Sequence, residues 1–350
     1  RVALQVGKLA ADVQSTLDAT TTDAKKVDFM VPRAQRVLRD ALSLADRPLF
    51  VFLDDFYYLE RKQQPLVLDL LHGMVRDVNA WLKVASIRHL TRWWQASPPA
   101  GLQSGQDAEL IDLDITLQDP AKAKRFLEGI LDVFAKRAGI SSLSQAYRSE
   151  SLDRLVIASG AVPRDFLVLA TSAMSRARRR EKALLVGVQD VNQAAGDAGS
   201  AKKQELEEDL ASNIGSAERT LRVLGIVRKF CLEEKNFTYF LVDLREREER
   251  ATAYTLLTDL LDVRLIHLVE ASVSDAHEAG RKYEAYMLDL SEYSGSRLKH
   301  RLRVLDFVDG RFQTKESGTS TSPRVARTPR EFTAILRGAP VLALSSLSEG

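Results

Sequence analysis

Residues 47–65 read RPLFVFLDDFYYLERKQQP, and they carry the strongest indication of the fold. The apolar run Phe50–Leu53 predicts a short strand buried on both faces, which is typical of a parallel sheet covered by helices. Two carboxylates, Asp54 and Asp55, follow at once. Because the carboxyl ends of parallel strands face the ligand crevice of an α/β sheet, we expect the pair to line a binding site.

Helical and extended patterns alternate around this strand. Apolar residues within 37–42 share one helical face, and an amphipathic helical pattern runs from Pro65 to Val78. The stretch WLKVASI, residues 81–87, predicts a second buried strand. This alternation of helix and strand predicts a parallel α/β sheet. The polar residues 1–32 predict a weak helix followed by a loop.

The pattern changes after the Pro/Gly-rich loop at 95–106. LIDLDITL, residues 110–117, predicts a further strand, and three amphipathic helices follow it. Residues 195–215 are rich in small and charged side chains and predict a linker joined to a solvated helix. Residues 314–330 predict a disordered or loosely bound segment.

The region from Leu221 onward predicts a winged helix. A helical pattern through Cys231 is followed by a strand at 237–244 and a second helix at 248–262. Two alternating stretches, 264–272 and 282–293, then predict a two-stranded hairpin.

Size and composition limit the function classes. The 350 residues suffice for two or three domains, and the formal net charge of +2 excludes a globally basic nucleic-acid-binding protein. The single cysteine, Cys231, excludes an internal disulfide and favours a reducing compartment. The apolar runs are all shorter than the roughly 18 residues that span a bilayer, so we expect a cytoplasmic protein without a membrane partner. The five histidines and the cysteine show no metal-ligand spacing.

The acid pair suits magnesium and nucleotide chemistry. Asp54 can hold Mg²⁺ through water while the ion bridges nucleotide phosphates, and Asp55 can orient an attacking water. A hydrophobic strand that ends in two acids is the Walker B arrangement. The alternative is that both residues cap the helix that enters FYYLE.

Two further motifs point the same way. Ser86 and Arg88 stand at the tip of the next predicted strand, where P-loop ATPases carry sensor 1. In SGAVPRDF, Arg164 opens a helix and resembles the sensor 2 arginine of AAA+ proteins. Residues 33–310 therefore resemble an AAA+ ATPase of the origin-recognition, initiator-like branch. FLDDFYYL, QPLVLDLLH, WLKVASIRH and LIDLDITL resemble a bacterial set of such ATPases, mostly of unassigned role.

The resemblance implies an α/β parallel-sheet P-loop ATPase core, partial in this chain, followed by an all-helical lid and a C-terminal winged-helix domain. The implied boundaries are 1–117 for the core, 118–194 for the lid, 195–310 for the winged helix and 311–350 for a C-terminal extension. The implied cofactors are ATP and Mg²⁺. The implied function is a switch that couples ATP binding or hydrolysis to DNA engagement in replication, mobile-element handling or phage defence.

Two departures from the family pattern support an alternative. Asp55 stands where AAA+ members usually carry glutamate, and its shorter side chain predicts slow hydrolysis. The sequence holds no G-x-x-x-x-G-K-[ST], and QVGKLA at 5–10 lacks the upstream glycines and the following Ser or Thr. We expect the phosphate-binding loop to precede Arg1, or else to have been lost. The alternative function is a non-hydrolysing scaffold whose winged helix binds a protein partner.

Arg92, in HLTRWW, is a candidate arginine finger toward a neighbour's nucleotide, which would imply self-association. The alternative is a helix-surface arginine that stacks on Trp93 or Trp94. His89 is interpreted as structural.

Basic residues in the predicted winged helix are candidates for contact with double-stranded DNA. They are Arg245, Arg247 and Arg250 at the second helix, Arg281 and Lys282 in the hairpin, and Arg297, Lys299, Arg301 and Arg303 after it. Glutamates alternate with the first three, so a salt-bridged solvated face is the alternative there. SRARRR at 175–180 is a second basic cluster, and its alternative role is to complement a helix C-terminus.

Overall fold

The computed structural model describes residues 24–87, 90–180, 185–210, 216–294 and 300–347. They form two compact units, divided between Leu113 and Asp114.

A strand–helix–strand arrangement is the centre of the first unit. Its elements are helix α1 (Ala24–Ala45), strand β1 (Leu49–Leu53), helix α2 (Gln64–Val75) and strand β2 (Ala80–Val84), followed by the antiparallel hairpin of β3 (Trp94–Ala96) and β4 (Pro99–Gly101). β1 and β2 pair in parallel, from Leu49 opposite Ala80 to Leu53 opposite Val84. These two strands and the helix between them are confirmed. The predicted loop before Pro32 is wrong, because Pro32 lies inside α1.

The expectation that both strands are buried on both faces is also wrong for the described pair. Side chains alternate along β1 and β2 between half-buried and exposed positions. The exposed face presents Phe50, Phe52 and Trp81, which are 49 %, 74 % and 56 % exposed. The opposite face contributes Leu53 and Val84 to a small core around Phe56, Leu68 and Leu102.

The predicted strand at 110–117 is likewise absent from the structure, which describes all of these residues. Residues 109–116 form neither strand nor helix, and Leu110, Ile111 and Leu113 are exposed. Apolar and polar side chains alternate along residues 110–117, but the backbone of this segment does not pair with a neighbouring strand.

The second unit begins with four helices. They are α3 (Pro120–Arg137), α4 (Ser149–Ala158), α5 (Pro163–Arg178) and α6 (Val188–Leu210). The predicted linker within 195–215 is wrong where it is described, because α6 continues through it. Its small residues permit close packing: a Cβ on Gly199 would lie 2.3 Å from the Cβ of Ser291, and Ala194 and Ala195 are buried.

A helix, a strand, two helices and two strands follow. They are α7 (Ser216–Arg228, continued by a π-helical turn at Lys229–Lys235), β5 (Tyr239–Asp243), α8 (Leu244–Glu249), α9 (Ala251–Asp262), β6 (Ile266–Ser274) and β7 (Lys282–Leu288). The three strands form an antiparallel sheet in the order β5-β7-β6. The predicted hairpin is confirmed, although its second strand ends at Leu288. The predicted helix at 248–262 breaks at Arg250, which separates α8 from α9.

The C-terminal residues are ordered, contrary to the expectation for 314–330. They form β8 (Arg303–Val308), β9 (Arg311–Glu316), β10 (Arg324–Val325) and α10 (Pro329–Leu336), with sheet order β10-β9-β8. Phe312 stacks on Phe332 with ring centroids 4.6 Å apart. The amide of Leu241 donates to Pro340 and its carbonyl accepts from Leu342, each at 2.8 Å. These contacts hold the C-terminal residues in place. The polar composition of residues 314–330 gives no indication of them.

One core of buried residues joins the helices and sheets of the second unit. Arg154 on α4 pairs with the buried Asp306 on β8 at 3.2 Å, and Lys203 on α6 pairs with the buried Glu292 at 2.8 Å. The first pair crosses the predicted boundary between the lid and the winged helix, and the second lies within the predicted winged helix. All the predicted domain boundaries stay predictions. Throughout the described ranges, the helices lack the length and apolar character that a membrane crossing requires.

Candidate magnesium and nucleotide site

The acid pair and Ser86 follow the carboxyl ends of the parallel strands β1 and β2. Because Leu53 lies opposite Val84, the residues that follow them begin side by side. The amide of Ala85 donates to Leu53 at 2.8 Å, and the amide of Phe56 donates to Ala85 at 3.2 Å. These hydrogen bonds hold the two backbones together beyond the last paired residues of the strands.

Asp54 and Asp55 are both exposed. The Oδ1 atom of Asp54 accepts a hydrogen bond from the amide of Asp55 at 3.0 Å. Asp55 adopts a left-handed backbone with φ of 50°, which aspartate tolerates better than most residues. It precedes the 3₁₀ turn Phe56–Tyr58 but makes no capping hydrogen bond with its side chain. The capping alternative is therefore wrong for Asp55.

Two tyrosines lie beside the acids. The rings of Tyr57 and Tyr58 stack with centroids 4.7 Å apart. A hydrogen bond with Tyr58, burial and the negative charge of Asp55 raise the pKa of Tyr57 to about 12. Its hydroxyl therefore keeps its proton at neutral pH.

Ser86 is half-buried and its hydroxyl already has a partner. It lies 2.6 Å from the Thr91 hydroxyl, which donates its own proton to the carbonyl of Ile87 at 2.7 Å. Since Thr91 has one proton to give, Ser86 must be the donor in the pair between them. The lone pairs of the Ser86 oxygen remain available to accept a hydrogen bond. To donate to a phosphate oxygen, Ser86 would have to give up its hydrogen bond to Thr91.

Gln64 ties the surrounding loops together. Its amide nitrogen donates to the carbonyls of Leu59 and Leu90 at 2.9 and 3.3 Å, and its oxygen accepts from the amide of Arg92 at 2.7 Å. The side chain is fully buried. Sequence reasoning missed both Gln64 and Thr91, because no pattern separates the buried Gln64 from the exposed Gln63 beside it.

The remaining nucleotide-sensing candidates are placed as follows. Arg88 and His89 lie outside the described residues. Arg92 is exposed on a loop before β3, so the alternative of a helix-surface arginine is wrong. Arg164 is exposed in the first turn of α5, in the second unit, while its neighbour Asp165 pairs with Arg264 at 2.5 Å.

The donor set at the strand ends suits magnesium. Two carboxylates and a hydroxyl supply only oxygen atoms, which Mg²⁺ prefers, and Mg²⁺ commonly keeps several waters and binds one or two carboxylates. A site that surrounds the ion with protein ligands alone would need more coordinating side chains than these. Within the described residues, no cluster of three or more His, Cys, Asp or Glu side chains could form one.

Three of the predicted DNA-contacting arginines are held by carboxylates. Arg245 pairs with Glu278 at 2.8 Å, and Arg281 pairs with Glu278 at 3.0 Å and with Asp243 at 2.8 Å. This network ties α8 and the end of β5 to the hairpin loop.

The third arginine, Arg247, pairs with the buried Glu284 at 2.9 Å, and Glu284 also accepts from the hydroxyls of Tyr254 and Tyr286. Arg245 and Arg247 are thus salt-bridged in the structure, but by Glu278 and Glu284 and not by the glutamates that alternate with them in the sequence.

The other DNA candidates differ in their surroundings. Arg250, Lys282 and Arg301 are exposed and make no side-chain hydrogen bond or ion pair with the residues that the structure describes. Arg303 is exposed, and its guanidinium carbon lies 4.9 Å from the ring centroid of Phe237. Arg297 and Lys299 lie outside the described residues.

Two arginines of the SRARRR cluster also have carboxylate partners. Arg176 pairs with Asp197, and Arg180 pairs with Asp190 at 2.5 Å. The first pair connects α5 to α6, and the second connects the chain just after α5 to the first turn of α6. They favour a structural role for both arginines, whereas Arg178 and Arg179 are exposed.

Comparison with known proteins identifies no relative: no protein-family model, curated protein or solved structure matches the chain significantly.

Proposed function

We propose that the protein is an ATP-dependent molecular switch of the AAA+ class that engages DNA through a winged helix. The observation that carries the proposal is the juxtaposition of Asp54, Asp55 and Ser86 at one end of two parallel strands. Ligand sites of open α/β sheets lie at this end of the strands.

The side chains take complementary roles in the proposal. Asp54 would hold Mg²⁺ through its water shell, and the charge of the ion would offset that of the nucleotide phosphates. Asp55 would orient the attacking water. Ser86 would detect the terminal phosphate by exchanging its bond to Thr91 for one to a phosphate oxygen. Arg164 keeps its predicted sensor 2 role.

A titration with Mg²⁺–ATP tests the nucleotide part. All three tryptophans, Trp81, Trp93 and Trp94, lie in the first unit, so their fluorescence reports its unfolding alone. We expect ATP to raise the melting midpoint only when Mg²⁺ is present, because a ligand that binds the native state stabilises it. Asp54→Ala should abolish the shift and Asp69→Ala, on the exposed side of α2, should keep it. A shift of equal size in both variants would exclude the acid pair as the site.

The arrangement of residues 216–288 supports the proposed winged helix. Helix, strand, two helices and a two-stranded hairpin follow in that order, and the first strand joins the hairpin as an edge. Among the predicted DNA-contacting residues in this range, Arg250 and Lys282 are exposed and lack an ion-pair partner in the part of the chain that the structure describes. We propose that they contact duplex phosphates.

Duplex affinity measured at two salt concentrations tests that contact. Each phosphate contact contributes about 0.9 to the slope of log affinity against log salt concentration. Arg250→Gln combined with Lys282→Gln should therefore lower the slope by about two. Lys122→Gln, an exposed control on α3, should leave it unchanged. Binding that ignores salt would argue against phosphate contacts.

A non-hydrolysing scaffold whose winged helix binds a protein is the second candidate. It is favoured by the carboxylates that already neutralise Arg245, Arg247 and Arg281. Absence of both the Mg²⁺-dependent ATP shift and salt-dependent duplex binding would select it over the switch.

A further inference from the structure

The C-terminal sheet region carries a large excess of positive charge. Residues 297–330 contain nine lysines or arginines against three acidic residues, whereas the whole chain has a formal net charge of +2. Two of the three acids are engaged in ion pairs: Asp306 is buried with Arg154 and Lys315, and Asp309 lies 3.9 Å from Lys124. The excess charge therefore lies mainly in exposed arginines.

Two of these arginines share one face of the sheet. Arg324 on β10 lies opposite Thr314 on β9, which lies opposite Leu305 on β8, so the three side chains project to the same side. Arg303 lies two residues before Leu305 and projects to that side as well. Strand spacing and rise place the Cα atoms of the two arginines about 12 Å apart, which lets two extended side chains reach one small anion.

Neither arginine is neutralised by a carboxylate. Arg303 stacks on the ring of Phe237, and both guanidinium groups lack an ion-pair partner among the residues that the structure describes. Glu316 lies opposite Arg303 in the sheet register but forms no ion pair with it. Phe237 therefore holds Arg303 in place while leaving its hydrogen-bond donors free.

Two buried hydroxyl groups beside these arginines have an incomplete set of hydrogen-bond partners. The Tyr239 side chain is only 1 % exposed, its hydroxyl interacts with that of Thr314, and neither group finds another partner among the described residues. Because two hydroxyls share only one hydrogen bond, one O–H donor of the pair is left without an acceptor. Burial raises the pKa of Tyr239, while the hydrogen bond with Thr314 and the charges of Arg303 and Arg324 act in the opposite direction, which places all three near the phenol.

We infer that this surface, defined by Arg303, Arg324, Tyr239 and Thr314, is a binding site for a phosphate group. Guanidinium groups bind phosphate oxygens through paired, charge-assisted hydrogen bonds, and two of them oppose its charge. The phosphate belongs either to a nucleic-acid backbone or to a free phosphate compound.

This inference goes beyond the proposed winged-helix contact. Arg324 and Thr314 lie outside the hairpin and helices of residues 216–288, and the site requires only phosphate chemistry. It would stand even if the ATP switch and the hairpin contact were both disproved.

The experiment compares single variants of the 350-residue chain with two probes, a short fluorescein-labelled DNA duplex and inorganic phosphate. Arg303→Gln and Arg324→Gln remove one guanidinium each from exposed positions. Arg311→Gln is the matched control, because Arg311 is exposed on β9 but projects to the opposite face from Thr314. Glu316→Gln removes the only carboxylate in register with Arg303 and should tighten binding. Circular dichroism of each variant checks that it folds.

We expect each of the two arginine variants to weaken binding about tenfold with at least one probe, and Glu316→Gln to strengthen it. Loss with the duplex together with a salt slope lower by about one identifies a nucleic-acid phosphate. Loss confined to inorganic phosphate identifies a free phosphate compound. The inference is overturned if Arg303→Gln and Arg324→Gln behave like Arg311→Gln with both probes. Duplex binding that depends only on Arg250 and Lys282, together with phosphate binding that Arg303→Gln and Arg324→Gln leave unchanged, would keep the proposed function and remove this site.

Discussion

Replacing Gln64 by leucine tests how the loops around the candidate site are held. The leucine side chain has nearly the same size but neither donates nor accepts hydrogen bonds. It would remove the bonds to Leu59 and Leu90 and leave the amide of Arg92 without its acceptor. These bonds connect the turn that follows the acid pair to the loop that follows Ser86.

The expected cost follows from the groups left unpaired. A buried donor or acceptor that loses its partner costs about 1–3 kcal/mol. The amide of Arg92 and the carbonyl of Leu59 make the two shortest of these bonds, at 2.7 and 2.9 Å. Because the loops can relax toward water, we take the lower half of that range for each of the two groups, and Gln64→Leu should reduce the free energy of unfolding by about 2–4 kcal/mol.

Urea unfolding followed by tryptophan fluorescence measures this change, because the fluorescence reports only the first unit. Gln63→Leu is the matched control, since Gln63 is the exposed neighbour of Gln64 and makes no side-chain cap. It should alter the free energy of unfolding by less than about 0.5 kcal/mol. Equal midpoints and slopes for the two variants would refute the role assigned to the buried amide.

Three further predictions concern the second unit. Gly160→Ala should destabilise the second unit by more than about 2 kcal/mol, because the new Cβ would lie 2.2 Å from Nδ1 of His267. Gly139→Ala is the control, since Gly139 also has a positive φ but has open space around it. Circular dichroism melting should show a smaller loss of stability for Gly139→Ala. Burial alone would raise the pKa of Asp306, but its cationic partners hold it below the ordinary value, so this carboxylate stabilises the fold above about pH 4 and loses that effect as pH falls through its lowered pKa. Acid unfolding of Asp306→Asn should accordingly show a weaker pH dependence than the parent below pH 4. Burial raises the pKa of the Cys231 thiol, so a thiol reagent should react with it at the rate of unfolding; rapid labelling of the folded chain would contradict this.

Local patterns predicted the elements well because they depend on neighbouring residues. The apolar run before Asp54 predicted β1, and the helical spacing after Pro65 predicted α2. Register and exposure depend on distant residues. The alternation that leaves Phe52 and Trp81 exposed is therefore not visible in a continuous apolar run.

The site was predictable in part for the same reason. The rule for strand ends correctly predicts that Asp54, Asp55 and Ser86 follow two paired strands, whereas their roles in a site stay predictions. The partners of side chains depend on tertiary contacts: the glutamate that neutralises Arg247 lies 37 positions later in the chain. Order in residues 314–330 likewise comes from packing such as that of Phe312 on Phe332.

The most direct test of the central claim is a titration of the chain with Mn²⁺, a paramagnetic substitute for Mg²⁺, followed by electron paramagnetic resonance. We predict one site that Asp54→Asn weakens about tenfold, equivalent to about 1.4 kcal/mol, and that Asp69→Asn on the exposed face of α2 leaves intact. Equal Mn²⁺ affinity in the parent chain and in Asp54→Asn would contradict the claim that the strand-end acids hold the metal.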